Sequence, residues 1–293
     1  MQIQFHNFNR HVSRVVCCLL AVVPSILFIS CSSKVAHRSF LVPPIRGTPA
    51  DVGLNYQEVI VECGDKKLLG WLVIAATNPD SASNGVILFS GIGGGVSNWI
   101  NVQRTLYDNH ISSLVVNYGD LRDTLTYEEN ESSTSFADIE CAIPKFFNEL
   151  AGRTPTHSSF FFLGHSMGCA VLSQHYSLLD TSRVKGLIFC SQFSSLRASA
   201  RHYGWLPKIF LFMIPDDIFN NTVSVPRIHT PLLIVHSKAD SVNLYEWSED
   251  VFRLANEPKT LVSYEQFDHK YIYKGTDDFW QPIIRFIKEA GER

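Results

Sequence analysis

Ser166 lies in the stretch FFFLGHSMGCAV, Phe160 to Val171, with Gly164 and Gly168 two residues to either side. A serine hydroxyl is a weak nucleophile by itself. It needs a base to take its proton, an acid to orient that base, and donors for the oxyanion that forms when it attacks a carbonyl. The pentapeptide G-x-S-x-G arises by chance in about one chain in ten of this length, so it counts only if the other parts are present. The apolar run before Ser166 reads as a strand, and MGCAVLSQHYSLL after it reads as a helix. That is the strand–turn–helix setting in which such a serine is presented to substrate.

Three further segments carry matching chemistry. LFSGIGGGVSNW follows an apolar strand and runs through Gly91, Gly93, Gly94 and Gly95 into a helix, so the Ile92 and Met167 backbone N–H groups are candidate oxyanion donors. No lysine follows these glycines and their spacing is not that of a dinucleotide fingerprint, which argues against a phosphate loop. PLLIVHSKADSVN puts Asp240 just past a strand end, where an orienting acid belongs; a loop aspartate capping the helix near Tyr245 is the structural alternative, and Asp216 and Asp217 are weaker competitors. EQFDHKYIY puts His269 between the final strand and the final helix. His165 and His236 read as structural, the first turned away from Ser166 and the second packed within a strand. Asp268 adjoins His269 and is badly placed to accept its N–H.

The elements that must hold these residues follow from hydrophobic pattern. The chain has 293 residues, 45% hydrophobic and 18% charged, enough for one large packed domain. Its net charge of -3, with no Lys/Arg run, gives nucleic-acid binding little support. YQEVIVECG and KLLGWLVIA predict an early hairpin. Apolar strands at 85–91, 112–119, 159–166, 184–193 and 231–240 then alternate with helical segments, which implies a mostly parallel sheet covered on both faces. Ser97 is a candidate N-cap, Pro144 should kink or shorten the helix that contains it, and Gly152 is a candidate C-cap. Ser194 to Thr230 breaks the rhythm and reads as an insertion of about 194–230, rich in Tyr203, Trp205, Phe210, Phe212 and Phe219. These aromatics either roof an apolar acyl pocket or simply cover the core.

The N-terminus is different. Arg10 and Arg14 precede VVCCLLAVVPSILFIS, Val15 to Ser30, which has no charge. This predicts a signal peptide or membrane anchor over 1–30 and a Pro/Gly-punctuated linker over 31–55, before a catalytic-type domain over 56–293. FISC resembles a bacterial lipoprotein signal box, with Phe28 where leucine is usual; that resemblance implies lipid attachment at Cys31, and an uncleaved anchor is the alternative. Both place the domain outside the cytoplasm on a membrane surface. Cys63, Cys141, Cys169 and Cys190 have spacings of neither a zinc site nor a small disulfide framework, and the sequence does not say which would pair.

With LFSGIGGG, GHSMG, LLIVHSKAD and FDH in order, residues 56 to 290 resemble serine α/β-hydrolases. They are most similar to the monoacylglycerol-lipase-like and serine-aminopeptidase-like branch, including its membrane-anchored members. The resemblance implies an α/β-hydrolase fold and a serine esterase acting on an acyl ester, acyl lipid or thioester through Ser166, Asp240 and His269, with no cofactor and no metal. A peptidase or amidase, or a non-catalytic surface-binding lipoprotein, are the alternatives. Two departures stand out. Ser90-Gly91 replaces the His-Gly of many relatives, and the polar NYGDLRDTLTYEENESSTS replaces their Y-x-G-x-G-x-S run.

Overall fold

The computed structural model describes residues 41–75, 83–121, 130–131, 134–204 and 208–292. The expected signal segment, Cys31, Trp205 and most of the polar 122–133 stretch lie outside them. The strands are β1 (Leu41–Val42), β2 (Gln57–Cys63), β3 (Lys66–Val73), β4 (Asn84–Phe89), β5 (Ile111–Asp120), β6 (Asn130–Glu131), β7 (Ser159–His165), β8 (Val184–Cys190), β9 (Leu232–Ser237) and β10 (Lys259–Tyr264). The helices are α1 (Ile100–Asp108), α2 (Phe136–Gly152), α3 (Met167–Gln174), α4 (Leu196–Tyr203), α5 (Asn221–Ser224), α6 (Tyr245–Leu254) and α7 (Asp277–Gly291).

Eight strands form one sheet in the order β10-β9-β8-β7-β4-β5-β3-β2, and β1 pairs separately with β6. The pairs from β10 to β5 are parallel; β3 is antiparallel to both β5 and β2. β4, β7 and β9 have no exposed residue because helices cover both faces, which is why they read as unbroken apolar runs. β2 lies at an edge and alternates instead, burying Val59, Val61 and Cys63 while Glu58, Ile60 and Glu62 face out. On one face of the sheet pack α2, α3 and α6, with Phe146, Leu150, Leu172 and Val251. On the other pack α1 and α7, with Val102, Leu106, Trp280 and Ile287.

Local expectations fare unevenly. Ser97 caps no helix: it sits inside a 3-10 turn, Val96–Trp99, where its Oγ accepts the Arg46 N–H at 2.8 Å. Pro144 neither shortens nor splits α2, whose buried stripe of Ile139, Ile143, Phe146, Phe147 and Leu150 holds it against the sheet through the missing N–H. Gly152 remains helical, and Arg153 caps α2 with its N–H on the Leu150 carbonyl at 3.2 Å. Cys63 of β2 and Cys141 of α2 form a disulfide across 78 residues, a pairing the spacings had left open. Cys169 and Cys190 stay free and buried.

The excursion between β8 and β9 carries α4, a 3-10 segment Lys208–Met213, and α5. Its two ends meet: Ser195 bridges Asn220, Leu196 N–H reaches the Phe219 carbonyl at 2.9 Å, and Asn221 Nδ2 reaches the Phe193 carbonyl at 2.7 Å. This closed stem sets α4 and Phe219 over the strand ends.

Candidate active site

Four loops converge because the strands that launch them stop in line. Phe89 of β4 pairs with Gly164 of β7, His165 pairs with Cys190 of β8, and Cys190 pairs with Val235 of β9. In the sheet order β5 and β7 flank β4 on opposite sides, so the chain reverses direction there. A crevice opens at the carboxyl ends of such strands.

Ser166 sits at the turn from β7 into α3 with φ 53° and ψ -112°, a left-handed backbone rarely seen outside glycine. Its N–H is held by the Cys190 carbonyl at 2.9 Å. The strain is permitted by the flanking glycines. A Cβ on Gly164 would lie 2.7 Å from Cys169 Cα, and one on Gly168 would lie 2.8 Å from the Phe89 carbonyl carbon. α3 therefore crosses so close to β4 and β7 that only hydrogen fits at both positions.

Asp240 ends the loop after β9. Its Oδ1 accepts the N–H groups of Val242 at 2.8 Å and Asn243 at 2.9 Å, an Asx turn that fixes the carboxylate. Its Oδ2 accepts the Nδ1–H of His269 at 2.8 Å and lies 3.2 Å from His236 Nε2. Burial opposes ionisation here, but hydrogen bonds from His236 and His269 and the charge of His269 outweigh it and hold the carboxyl well below its usual range. With Nδ1–H committed to Asp240, His269 keeps Nε2 as its free base. Asp216 does not enter the site and pairs with Arg197 instead.

His165 does not face the Ser166 hydroxyl. Its Nε2 lies 2.8 Å from the His269 carbonyl, which can only accept, so Nε2 carries the proton; Nδ1 then accepts from the Tyr273 hydroxyl at 2.9 Å. The His165 and His269 rings are 4.6 Å apart. Burial, then the neighbouring His269, push the His165 pKa well below its usual value, so it stays neutral beside the base. His236 is packed as expected: Nε2 lies 3.1 Å from the Asn243 carbonyl, and Nδ1 bonds the Ser248 hydroxyl.

The loop after β4 turns tightly, Gly94 N–H reaching the Gly91 carbonyl at 3.0 Å. Ser90, where many serine hydrolases have histidine, is buried; its Oγ accepts Trp99 Nε1–H at 2.8 Å and its carbonyl accepts the Tyr118 hydroxyl at 2.9 Å. Ile92, Met167, Ser166 and His269 line one cavity of about 180 Å³. Met167 opens α3, so its N–H has no intrahelical acceptor. Phe193, Leu196, Phe219 and Val242 supply the apolar wall, and Tyr203 its rim. The cap aromatics thus divide: Phe219 is 1% exposed and faces the cavity, while Phe212 is 70% exposed.

Sequence reasoning overlooked Tyr273 and Asn243. Tyr273 lies four residues beyond His269, in HKYIY, and binds both His165 and the Gly91 N–H, the latter at 3.4 Å. Asn243 closes the Asx turn begun at Asp240, a signal present in DSVN.

No protein-family model matches the chain. It is 25% identical over 308 residues to the uncharacterized protein YfhR of Salmonella typhi, covering 96% of this chain and 98% of that one. Among solved structures it is similar to the Pyrococcus furiosus esterase Pf2001, with a TM-score of 0.62 and 17% identity over 86% of this chain and 97% of that one. It is also similar to Est1E from Butyrivibrio proteoclasticus, with a TM-score of 0.60 and 18% identity over 80% and 99%. At these identities the likeness speaks to architecture, and with the eight-stranded, mostly parallel sheet it establishes that this chain has the α/β-hydrolase fold.

Proposed function

We propose that the chain is a serine hydrolase that cleaves carboxylic esters through an acyl-enzyme on Ser166. The carrying observation is the 2.8 Å contact from Asp240 Oδ2 to His269 Nδ1, with Ser166 held at a strained turn on the cavity that His269 also lines. As Oγ attacks the carbonyl carbon, its proton passes to His269 Nε2. Ionised Asp240 stabilises the resulting imidazolium, and neutral His165 adds no second positive charge. The oxyanion takes the N–H groups of Ile92 and Met167. Collapse expels the alcohol with the proton from His269, and water repeats the sequence to release the acid.

The cavity bears on the substrate. At about 180 Å³ it compares with the ~150 Å³ cavity that accommodates benzene in another protein. That favours a short or single-ring acyl group over a long lipid chain. The test is a p-nitrophenyl ester series from acetate to decanoate, with Ser166→Ala as control. Preference for decanoate would overturn the size argument, and unchanged hydrolysis in Ser166→Ala would overturn the mechanism.

The membrane tether belongs to the same reading. Its support is the basic-then-apolar N-terminus and Cys31 in the sequence, together with a Cys63–Cys141 disulfide of the kind that persists in oxidising compartments. No helix among the described residues is long and apolar enough to cross a membrane. Metabolic palmitate labelling, lost in Cys31→Ala, is the expected result; a protein recovered unlabelled from the soluble fraction refutes the tether.

A further inference from the structure

Asn243 is 3% exposed and ties together four parts of the site. Its backbone N–H binds Asp240 Oδ1 at 2.9 Å, and its carbonyl accepts from His236 Nε2 at 3.1 Å. Its side-chain Nδ2 reaches the Ser191 carbonyl at 2.6 Å and Ser166 Oγ at 3.3 Å. A carbonyl oxygen can only accept, so the Ser191 contact fixes which end of the amide is NH₂. One Nδ2 hydrogen serves Ser191 and the other points at the nucleophile. Ser166 Oγ therefore receives a donor that is independent of the base and of the oxyanion donors.

We propose that Asn243 is a further catalytic residue, acting as a hydrogen-bond donor to Ser166 Oγ when that atom is the leaving group. The proposal rests on the esterase reading above and goes beyond it. In deacylation, water attacks the acyl carbon and gives its proton to His269 Nε2. The tetrahedral species then collapses: the C–Oγ bond breaks, its electron pair moves onto Oγ, and Oγ takes the proton back from Nε2. A donor already aimed at Oγ stabilises the arriving charge, and the 3.3 Å contact should shorten as charge develops. Acylation gains less from the same donor, because it already binds the resting hydroxyl at 3.3 Å, whereas the ester oxygen of the acyl-enzyme is a poorer acceptor and the gain on reaching the transition state is larger. Asn243 should thus matter more to the second half-reaction than to the first.

The alternative is that Asn243 only braces the loop from Asp240 to Ser191. Stopped-flow release of p-nitrophenol from p-nitrophenyl acetate separates the two, because the burst reports acylation and the steady state reports deacylation. The variants are Asn243→Leu, close in volume and without a donor, and Asn243→Ala in case leucine prevents folding. For Asn243 as donor, deacylation slows about 10- to 100-fold, the range for losing a hydrogen bond to a developing charge, while acylation changes less than about threefold. A full-amplitude burst should then stand out and KM should fall with kcat. Equal slowing of both steps, or a burst reduced only in proportion to the folded fraction, overturns the proposal. A fluorophosphonate probe reads the first half-reaction alone: labelling of both variants near the wild-type rate agrees with the proposal. Wild-type protein that neither labels nor hydrolyses the ester overturns the esterase reading itself.

Discussion

Gly168→Ala should cost activity out of proportion to its size. A Cβ at this position would lie 2.8 Å from the Phe89 carbonyl carbon, 2.9 Å from the Ser90 carbonyl oxygen, and nearer still to the Phe89 oxygen. All are backbone atoms at the end of β4, which is hydrogen-bonded by β5 on one side and β7 on the other, so they cannot yield. α3 has to retreat by at least about 0.6 Å, the gap between 2.8 Å and the 3.4 Å at which ordinary contact begins. Ser166 and the Met167 N–H move with it. Overpacking of this kind costs roughly 1–3 kcal/mol of stability. A displacement approaching 1 Å at a reacting group costs on the order of 10²-fold in rate. The assay pairs kcat/KM on p-nitrophenyl acetate with urea midpoints, and Gly152→Ala is the matched control. Gly152 lies in the last turn of α2 with nothing within 4 Å of an added Cβ, so alanine there should be neutral or stabilise by about 0.5–1 kcal/mol. If Gly168→Ala keeps activity within about threefold and an unchanged urea midpoint, the close approach of α3 is not what positions Ser166.

Other perturbations test separate parts. Buried His165 has a folded pKa below its ordinary 6.5, so below that pH the unfolded chain binds a proton that the folded chain refuses. Stability should therefore fall by up to about 1.4 kcal/mol per pH unit as pH drops below about 6.5, and His165→Gln should flatten that slope in urea titrations. Equal slopes would remove His165 as the source. Asp240→Asn should lower kcat by about 10³- to 10⁴-fold while the folded circular dichroism spectrum persists, because the imidazolium loses its counter-charge; a loss under tenfold would point to another acid. Reducing Cys63–Cys141 reopens a 78-residue loop, worth about 4.5 kcal/mol on the chain-entropy account. Dithiothreitol should lower the urea midpoint of the wild type and leave that of a Cys63→Ala, Cys141→Ala protein alone; a wild type indifferent to reductant would show that the bond contributes nothing.

Much of the architecture was legible because buried parallel strands have a plain signature. VILF and FFFL are apolar at every position since both faces are covered, and GHSMG marks a strand-to-helix turn by the glycines it cannot do without. The errors came where a local rule met a tertiary demand. Ser97 has the right chemistry to cap a helix, but its hydroxyl is taken by Arg46 from a segment 51 positions earlier in the chain. Pro144 lies inside α2 rather than at its start, because the buried stripe on that helix outweighs the hydrogen bond lost with the missing N–H. The disulfide could not be read because Cys63 and Cys141 are near each other only once α2 packs against β2. At the site, residue types in chain order pointed to Ser166, Asp240 and His269 as a group. Asn243, Tyr273 and the tautomer of His165 escaped notice because their roles depend on which atom faces which, and pattern carries no such information.

The placement of His269 also fixes when the site can exist. The loop after β4 and the Ser166 turn are finished long before the segment Phe267–Tyr273, and that segment is held by α7, whose Trp280 Nε1 binds the Ile272 carbonyl at 2.9 Å. At ribosomal speeds of about 5–20 residues per second, the roughly hundred residues between Ser166 and His269 take on the order of 5–20 s to make. Until then Asp240 Oδ2 lacks the His269 Nδ1–H that it accepts at 2.8 Å in the complete fold. That contact needs α7, which packs on the face lined by Trp99 and Val102 and holds the segment that carries His269. On the esterase reading proposed above, a chain that still lacks this segment is inactive whatever else of it has folded.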